Sequence, residues 1–197
     1  MDTKILIGIL PVIISTINFV LYMYSVYFGK TRPHLFSWLI WGIVAAIAAA
    51  GQYVEGAGSG GWISIAISVY SFIRVIACIT HGEKKITRSD WACLIACLIA
   101  IVIWVLLKDP MISVILVSLI DAVGIIPTAR KSWMKPEQEN AYSYFLFGVT
   151  SFLGLIALEN YNVTTIFYPA TVTIICWGFY AFLLIRKKQL KDIGEGI

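Results

Sequence analysis

Two lone charges stand inside long apolar blocks, and they are the residues best placed to do chemistry. Asp121 lies about ten residues into one block. A carboxylate at such a depth costs roughly 2.5–3.5 kcal/mol to insert even on a lenient scale. It can serve as a proton-coupling group, as a contact for a polar solute, or as half of a structural ion pair or hydrogen bond. Arg74 is the one basic residue well inside a block, about two turns from its basic end. It could latch onto Asp121, hold an anionic solute through its planar fork, or snorkel to the headgroups. Asn18 can both donate to and accept from a solute, or tie two helices together.

These residues belong to a pattern that occurs twice. Asn18-Phe-Val and Asp121-Ala-Val are 103 residues apart, and at that offset Ser15 matches Ser118, Ser25 matches Thr128 and Pro33 matches Pro136. Phe36-Ser37-Trp38-x-x-Trp41-Gly42 then matches Tyr142-Ser143-Tyr144-x-x-Phe147-Gly148 after a three-residue insertion. Ser15, Asn18, Tyr22 and Ser25 fall on one helix face, and Ser118, Asp121 and Thr128 repeat that stripe. Side chains of this kind should face the protein interior or a watery cavity. Repeats in hydrophobic chains point to transport, with the solute site where the halves meet.

The elements that carry these residues follow from composition. Hydrophobic residues make up 59 % of 197 and charged residues 13 %, with a mean hydropathy of +0.85. That exceeds ordinary soluble usage. The apolar residues form seven blocks near the ~20 residues that cross a bilayer: Ile5–Phe28, Leu35–Val54, Trp62–Thr80, Trp91–Leu107, Met111–Thr128, Ala141–Leu158 and Val163–Ile185. Helices are required, since only they satisfy a lone segment's backbone in lipid. The first block is too long for a signal-peptide core and is expected to be retained. Twelve basic residues, from Lys30 to Lys191, fall on one side of the seven spans, and only Lys4 and Lys108 on the other. The positive-inside rule then places the N-terminus outside and the C-terminus in the cytoplasm. It also accounts for the net charge of +4 without a nucleic-acid partner.

The fold expected is therefore an all-α integral membrane protein. Its seven transmembrane helices form two parallel three-helix repeats joined by a connector helix. Residues 1–80 make the first repeat, 81–110 the connector with its flanking loops, and 111–197 the second repeat and a basic tail. The connector offers few polar groups besides Cys93, Cys97 and Trp104, and reads as a packing element.

This three-plus-one-plus-three pattern resembles the PQ-loop and SWEET-like (MtN3-type) superfamily of membrane transporters, as a bacterial seven-span member. The segment Asp121-Ala-Val-Gly-Ile-Ile-Pro127-Thr128-Ala-Arg130-Lys131-Ser132 carries the resemblance, with the basic loop and Tyr142-Ser143-Tyr144 after it. Pro127 matches the family proline, Thr128 replaces its glutamine, and Tyr24-Ser25 stands in the first repeat where Pro-Gln would be. The resemblance implies alternating-access transport of a small polar solute (a sugar, vitamin or amino-acid-like molecule), or a receptor or scaffold of the same fold. It implies a hinge at Pro127. It also implies a pocket to which each repeat's third helix contributes, with Tyr70 and Trp177 able to sandwich the solute beside Ser71.

Several other features have bland readings. Trp38, Trp41, Tyr144 and Phe147 follow basic loops and suit either a gate or an aromatic belt at the interface. Gly42, Ala46 and Ala50 make a small-residue packing stripe. Gly56-Ala-Gly58-Ser-Gly60-Gly61 reads as a flexible connector, and Asn162-Val-Thr164 as a glycosylation triplet by spelling alone. Cysteines inside apolar blocks, together with unpaired His34 and His81, give no catalytic or metal constellation. The partners expected are the lipid bilayer of a bacterial inner membrane and a small polar solute. No cofactor, metal or nucleic acid is implied, and the chain could act as a monomer or a homo-oligomer.

Overall fold

A computed structural model describes residues 3–107 and 110–195, all helical apart from turns and loops. Lys108, expected on the N-terminal side of the membrane, and the Trp104 side chain lie outside the described residues. The helices are α1 Thr3–Tyr27, α2 Leu35–Val54, α3 Trp62–His81, α4 Arg88–Leu107, α5 Pro110–Met134, α6 Ala141–Ile156 and α7 Val163–Glu195. α5 and α7 outlast their expected spans by about six and ten residues. Hydropathy marks where apolar sequence stops, but the Lys- and Arg-rich stretches that follow are good helix formers and continue the same helices.

α1 and α3 are turned inside out relative to a soluble helix. α1 buries Gly8, Pro11, Ser15, Asn18, Tyr22 and Val26, while Leu6, Leu10, Ile13, Ile17, Val20 and Leu21 face outward. α3 buries Ser64, Ser68, Ser71, Arg74 and Cys78 and exposes Ile65, Val69, Ile73, Ile76 and Ile79. Water would reverse this arrangement, whereas lipid tolerates it and leaves small and polar groups as helix–helix glue. α1, α2, the segment Gly58–His81 and the segment Val163–Asp192 are long and apolar enough to cross a membrane, and α6 is a shorter apolar helix of 16 residues.

The packing closes into a ring. α1 lies between α3 and α6, α2 between α3 and α5, and α7 between α5 and α6. α4 stays outside this ring against α5, where Cys97 is buried with its Sγ near the Ile120 carbonyl. One end of the bundle gathers the α1–α2, α3–α4 and α5–α6 loops. There Arg32 N–H donates to Gln138 O (3.0 Å) and Glu83 N–H to Pro33 O (2.9 Å). Gly29, at φ 71°, turns the chain out of α1 so that Lys30 N–H can return to Ser25 O. At the opposite end Lys4 Nζ donates to Leu158 O (2.5 Å), Ser59 Oγ to Lys4 O (2.8 Å) and Glu159 N–H to Ala57 O (3.2 Å).

The glycine run is not a flexible connector. Gly58–Gly61 forms a 3-10 turn whose Ser59, Gly60 and Gly61 are buried and which packs on α1 and α6. A Cβ on Gly60 would lie 2.7 Å from Leu158 N and 2.8 Å from Gly154 O. Glycine is needed here for close backbone approach as well as for turning. The asparagine of the glycosylation triplet likewise has a structural job. Asn162 Oδ1 accepts from Thr165 N–H (3.0 Å) and Thr165 Oγ1 accepts from Asn162 N–H (3.0 Å), which caps α7.

Gly60→Ala is expected to destabilise the protein by about 1–3 kcal/mol through backbone overlap. Gly178→Ala, where an added Cβ meets nothing within 4 Å, should be close to neutral or stabilising. Thermal unfolding of the two variants in detergent checks the contrast.

Candidate functional site

A cavity of about 50 Å³ lies at the centre of the ring. That is room for a few waters and not for a bulky solute. α2 supplies Trp38 and Trp41, and α6 supplies Tyr144 and Phe147. Tyr168 and Val172 come from α7, Ser71 from α3 and Asp121 from α5. All four aromatics from α2 and α6 are buried. They form the walls of this cavity, and the aromatic-belt alternative is thereby corrected. A belt needs side chains at the outer surface, but these project toward the ring centre, where Trp38 meets Trp41 edge-on at 4.9 Å and Phe147 at 6.0 Å.

Asp121 is 5 % exposed. Its main-chain carbonyl accepts from Trp41 Nε1 (3.2 Å), but its carboxylate makes no ion pair or hydrogen bond among the described residues. Pro127, two turns further on, stays inside the helix. Its missing N–H leaves a weak point in the ladder there.

Arg74 is 1 % exposed, so it does not snorkel. Nor does it latch onto Asp121, since no salt bridge joins them. Four aromatic rings enclose its guanidinium instead. Cζ lies 4.5 Å from the Trp38 centroid, 5.0 Å from Phe19 and from Tyr22, and 5.1 Å from Phe147. Among the described residues Nε, Nη1 and Nη2 all lack a hydrogen-bond partner, as do Tyr22 Oη and Ser71 Oγ. Cation–π contacts reach ~2 kcal/mol when desolvated, so a few of them rival the insertion cost of the charge. They leave the N–H donors unmet.

The other expected residues are placed as follows. Asn18 donates through Nδ2 to Ser143 O on α6 (3.1 Å), and its buried Oδ1 has no partner among the described residues. It does not join Asp121 at the cavity. Thr128, on the same stripe as Asp121, bridges α5 to α2 through Ser37 Oγ (2.9 Å). Tyr70 and Trp177 form no sandwich in this structure. Tyr70 stacks on Phe19 at 4.6 Å and pairs with Thr16 Oγ1 (2.6 Å). Trp177 is 38 % exposed, lies over Gly148 and donates to Phe145 O (3.3 Å).

Two polar clusters at the basic end escaped sequence reasoning, which counted that end's basic residues and passed over its acids. In one, Lys131 Nζ contacts Glu139 Oε1 and the Arg32 carbonyl, while Tyr144 Oη donates to Glu139 Oε2 (3.2 Å). Lys187 Nζ donates to the Glu139 carbonyl (3.2 Å), which brings in α7. In the other, Arg130 makes a two-pronged bond to Asp90 (3.2 and 2.8 Å). His34 Nε2 lies 3.4 Å from Asp90 Oδ2 without hydrogen-bond alignment. This second cluster ties α4 to the start of α2 and the end of α5.

Burial pushes the His34 imidazole below its ordinary value. Lys131 and Arg130 add to this, while Asp90 opposes it. Burial works against the Asp90 carboxylate, but the Thr87 N–H, the Arg130 guanidinium and His34 outweigh it and hold Asp90 below the usual range. Comparison with protein-family models, curated proteins and solved structures finds no match for this chain.

A depressed His34 stays neutral in the folded protein while the unfolded chain takes up a proton below about pH 6.5. Stability is therefore expected to fall as pH drops from ~6.5 toward the lower folded value. The Asp90 contribution, present above a normal carboxylate value of ~3.9, is lost only at more acid pH still. Thermal midpoints measured between neutral pH and about pH 5.5 should show this slope. His34→Gln should flatten it, and an unchanged slope would assign it elsewhere.

Proposed function

We propose that this chain is a membrane transporter of a small polar solute (sugar-, vitamin- or amino-acid-like), working by alternating access. In this reading α1–α3 and α5–α7 are two parallel repeats and α4 is their connector, as in PQ-loop and SWEET-like proteins. The observation that carries it is the equivalence of packing. α1 meets α6 as α5 meets α2, α1 meets α3 as α5 meets α7, and α2 meets α3 as α6 meets α7. The cavity with Asp121 lies where the two triplets face each other, the place where repeat transporters hold their solute. The end bearing Arg32, Lys131 and Lys187 would be cytoplasmic, in a bacterial inner membrane, with the N-terminus outside.

Each end has ties that one half-cycle would break. The Lys131 contact to the Arg32 carbonyl and Arg32–Gln138 close the basic end. Lys4–Leu158 and Ala57–Glu159 close the other. The small cavity then corresponds to a closed intermediate, with Pro127 and the aromatic walls as hinge and gate. A carboxyl on a cavity wall without a fixed partner among the described residues suits proton coupling. A second reading, a receptor that binds without flux, draws on the same closure of both ends.

Purified protein in proteoliposomes should take up solutes from a labelled metabolite panel, with a rate that responds to an imposed pH gradient. Asp121→Asn is expected to abolish that response. pH-sensitive uptake that survives Asp121→Asn unchanged rejects the coupling role, and binding without uptake favours the receptor.

A further inference from the structure

The Arg74 enclosure is short of acceptors. Arg74 presents its three guanidinium nitrogens, Tyr22 its hydroxyl and Ser71 its hydroxyl, all buried and all without a partner among the described residues. Among the described residues no carboxylate pairs with Arg74. A charge housed only for stability would be expected to have its N–H donors satisfied, since each unmet buried donor is destabilising. The enclosure also borders the central cavity. Trp38 and Phe147 are walls of both, and Ser71, one turn before Arg74 on α3, lines the cavity itself.

We propose that Arg74 is a binding site for the carboxylate of a monoanionic, flat or aromatic solute. The solute would reach Arg74 from the central cavity when Trp38 and Phe147 part. This rests on the transport reading for the route and on the orphaned donors for the chemistry. Charge selects the class. One guanidinium neutralises one negative charge, whereas a phosphate dianion would leave a net charge in an aromatic enclosure that shares walls with the Asp121 cavity, where burial without compensation is costly. Shape selects further. A guanidinium fork pairs with a carboxylate through two parallel hydrogen bonds, and the ring faces of Phe19, Tyr22, Trp38 and Phe147 suit a flat apolar remainder. Tyr22 and Ser71 supply further donors to the same oxygens, so neutral solutes gain less from the site.

The test uses the full chain in detergent or nanodiscs and pairs of probes that differ only in charge: benzoate against benzamide, and nicotinate against nicotinamide, with glucose as a neutral polar control. Binding is read by calorimetry and by ligand-dependent thermal stabilisation. At least one carboxylate should bind at millimolar concentration or tighter, and at least about tenfold better than its amide. Arg74→Gln should remove this preference. If Arg74→Gln fails to fold, Arg74→Lys carries the test, because it keeps the charge but loses the fork and should weaken carboxylate binding about tenfold. Asp121→Asn should retain the acid-over-amide preference. Equal binding of acid and amide, unaltered carboxylate binding by the Arg74 variants, or no carboxylate binding at all overturns the proposal. Uptake assays with the same probes separate the two readings. Carboxylate binding without flux leaves this site standing and removes the transport reading, while glucose uptake without carboxylate binding does the reverse.

Discussion

A polar side chain in the middle of this bundle has only other helices to turn to, because the outward faces are hydrocarbon-like. That constraint orders the rest. It turns the Ser, Asn and Tyr face of α1 inward and the Leu and Ile face outward. It brings α1 against α6 through Asn18 and Ser143, and α5 against α2 through Thr128 and Ser37. It also makes the two lone charges conspicuous. A soluble protein could leave Asp121 and Arg74 in water, whereas here each must be enclosed, and each is enclosed differently. Arg74 is surrounded by ring faces. Asp121 is set on the wall of a small cavity.

Keeping the two charges apart has a physical consequence. A buried ion pair would use up both groups and resist separation, since removing one partner strands the other at several kcal/mol. The aromatic wall of Trp38 and Phe147 instead leaves both charges uncommitted. The committed ion pairs, Lys131–Glu139 and Arg130–Asp90, lie at the basic end, where loops meet. Rigid ties at the ends and unpaired groups at the centre are what a molecule needs if it is to exchange partners in its middle while opening one end at a time.

How much of this was legible in the sequence depends on what signal each feature leaves. α2 was readable to the residue, because Pro33 before it and the polar turn after Val54 punctuate a clean apolar run. The buried polar stripe was readable from helical spacing. The partner of Arg74 was not. Sequence spacing fixes which face a residue occupies but not which neighbour meets it, and the aromatic rings that surround Arg74 come from α1, α2 and α6. Tyr70 and Trp177 occupy matched positions, yet Thr16 and Phe19 draw Tyr70 to the α1 side, and bare Gly148 draws Trp177 onto α6. The His34–Asp90–Arg130 cluster was illegible because its members are some 40 to 100 residues apart. The glycine run was misread because glycine signals close approach as readily as it signals a turn.

In the proposed transport cycle the cavity between α1–α3 and α5–α7 opens alternately to the two sides. Val172 lines that cavity and is buried. With the native cysteines replaced, Val172→Cys can be treated with a membrane-impermeant thiol reagent in vesicles of each orientation. Alternating opening predicts slow modification from both sides, with ligand shifting the ratio of the two rates. Modification from one side only, or from neither, would contradict it.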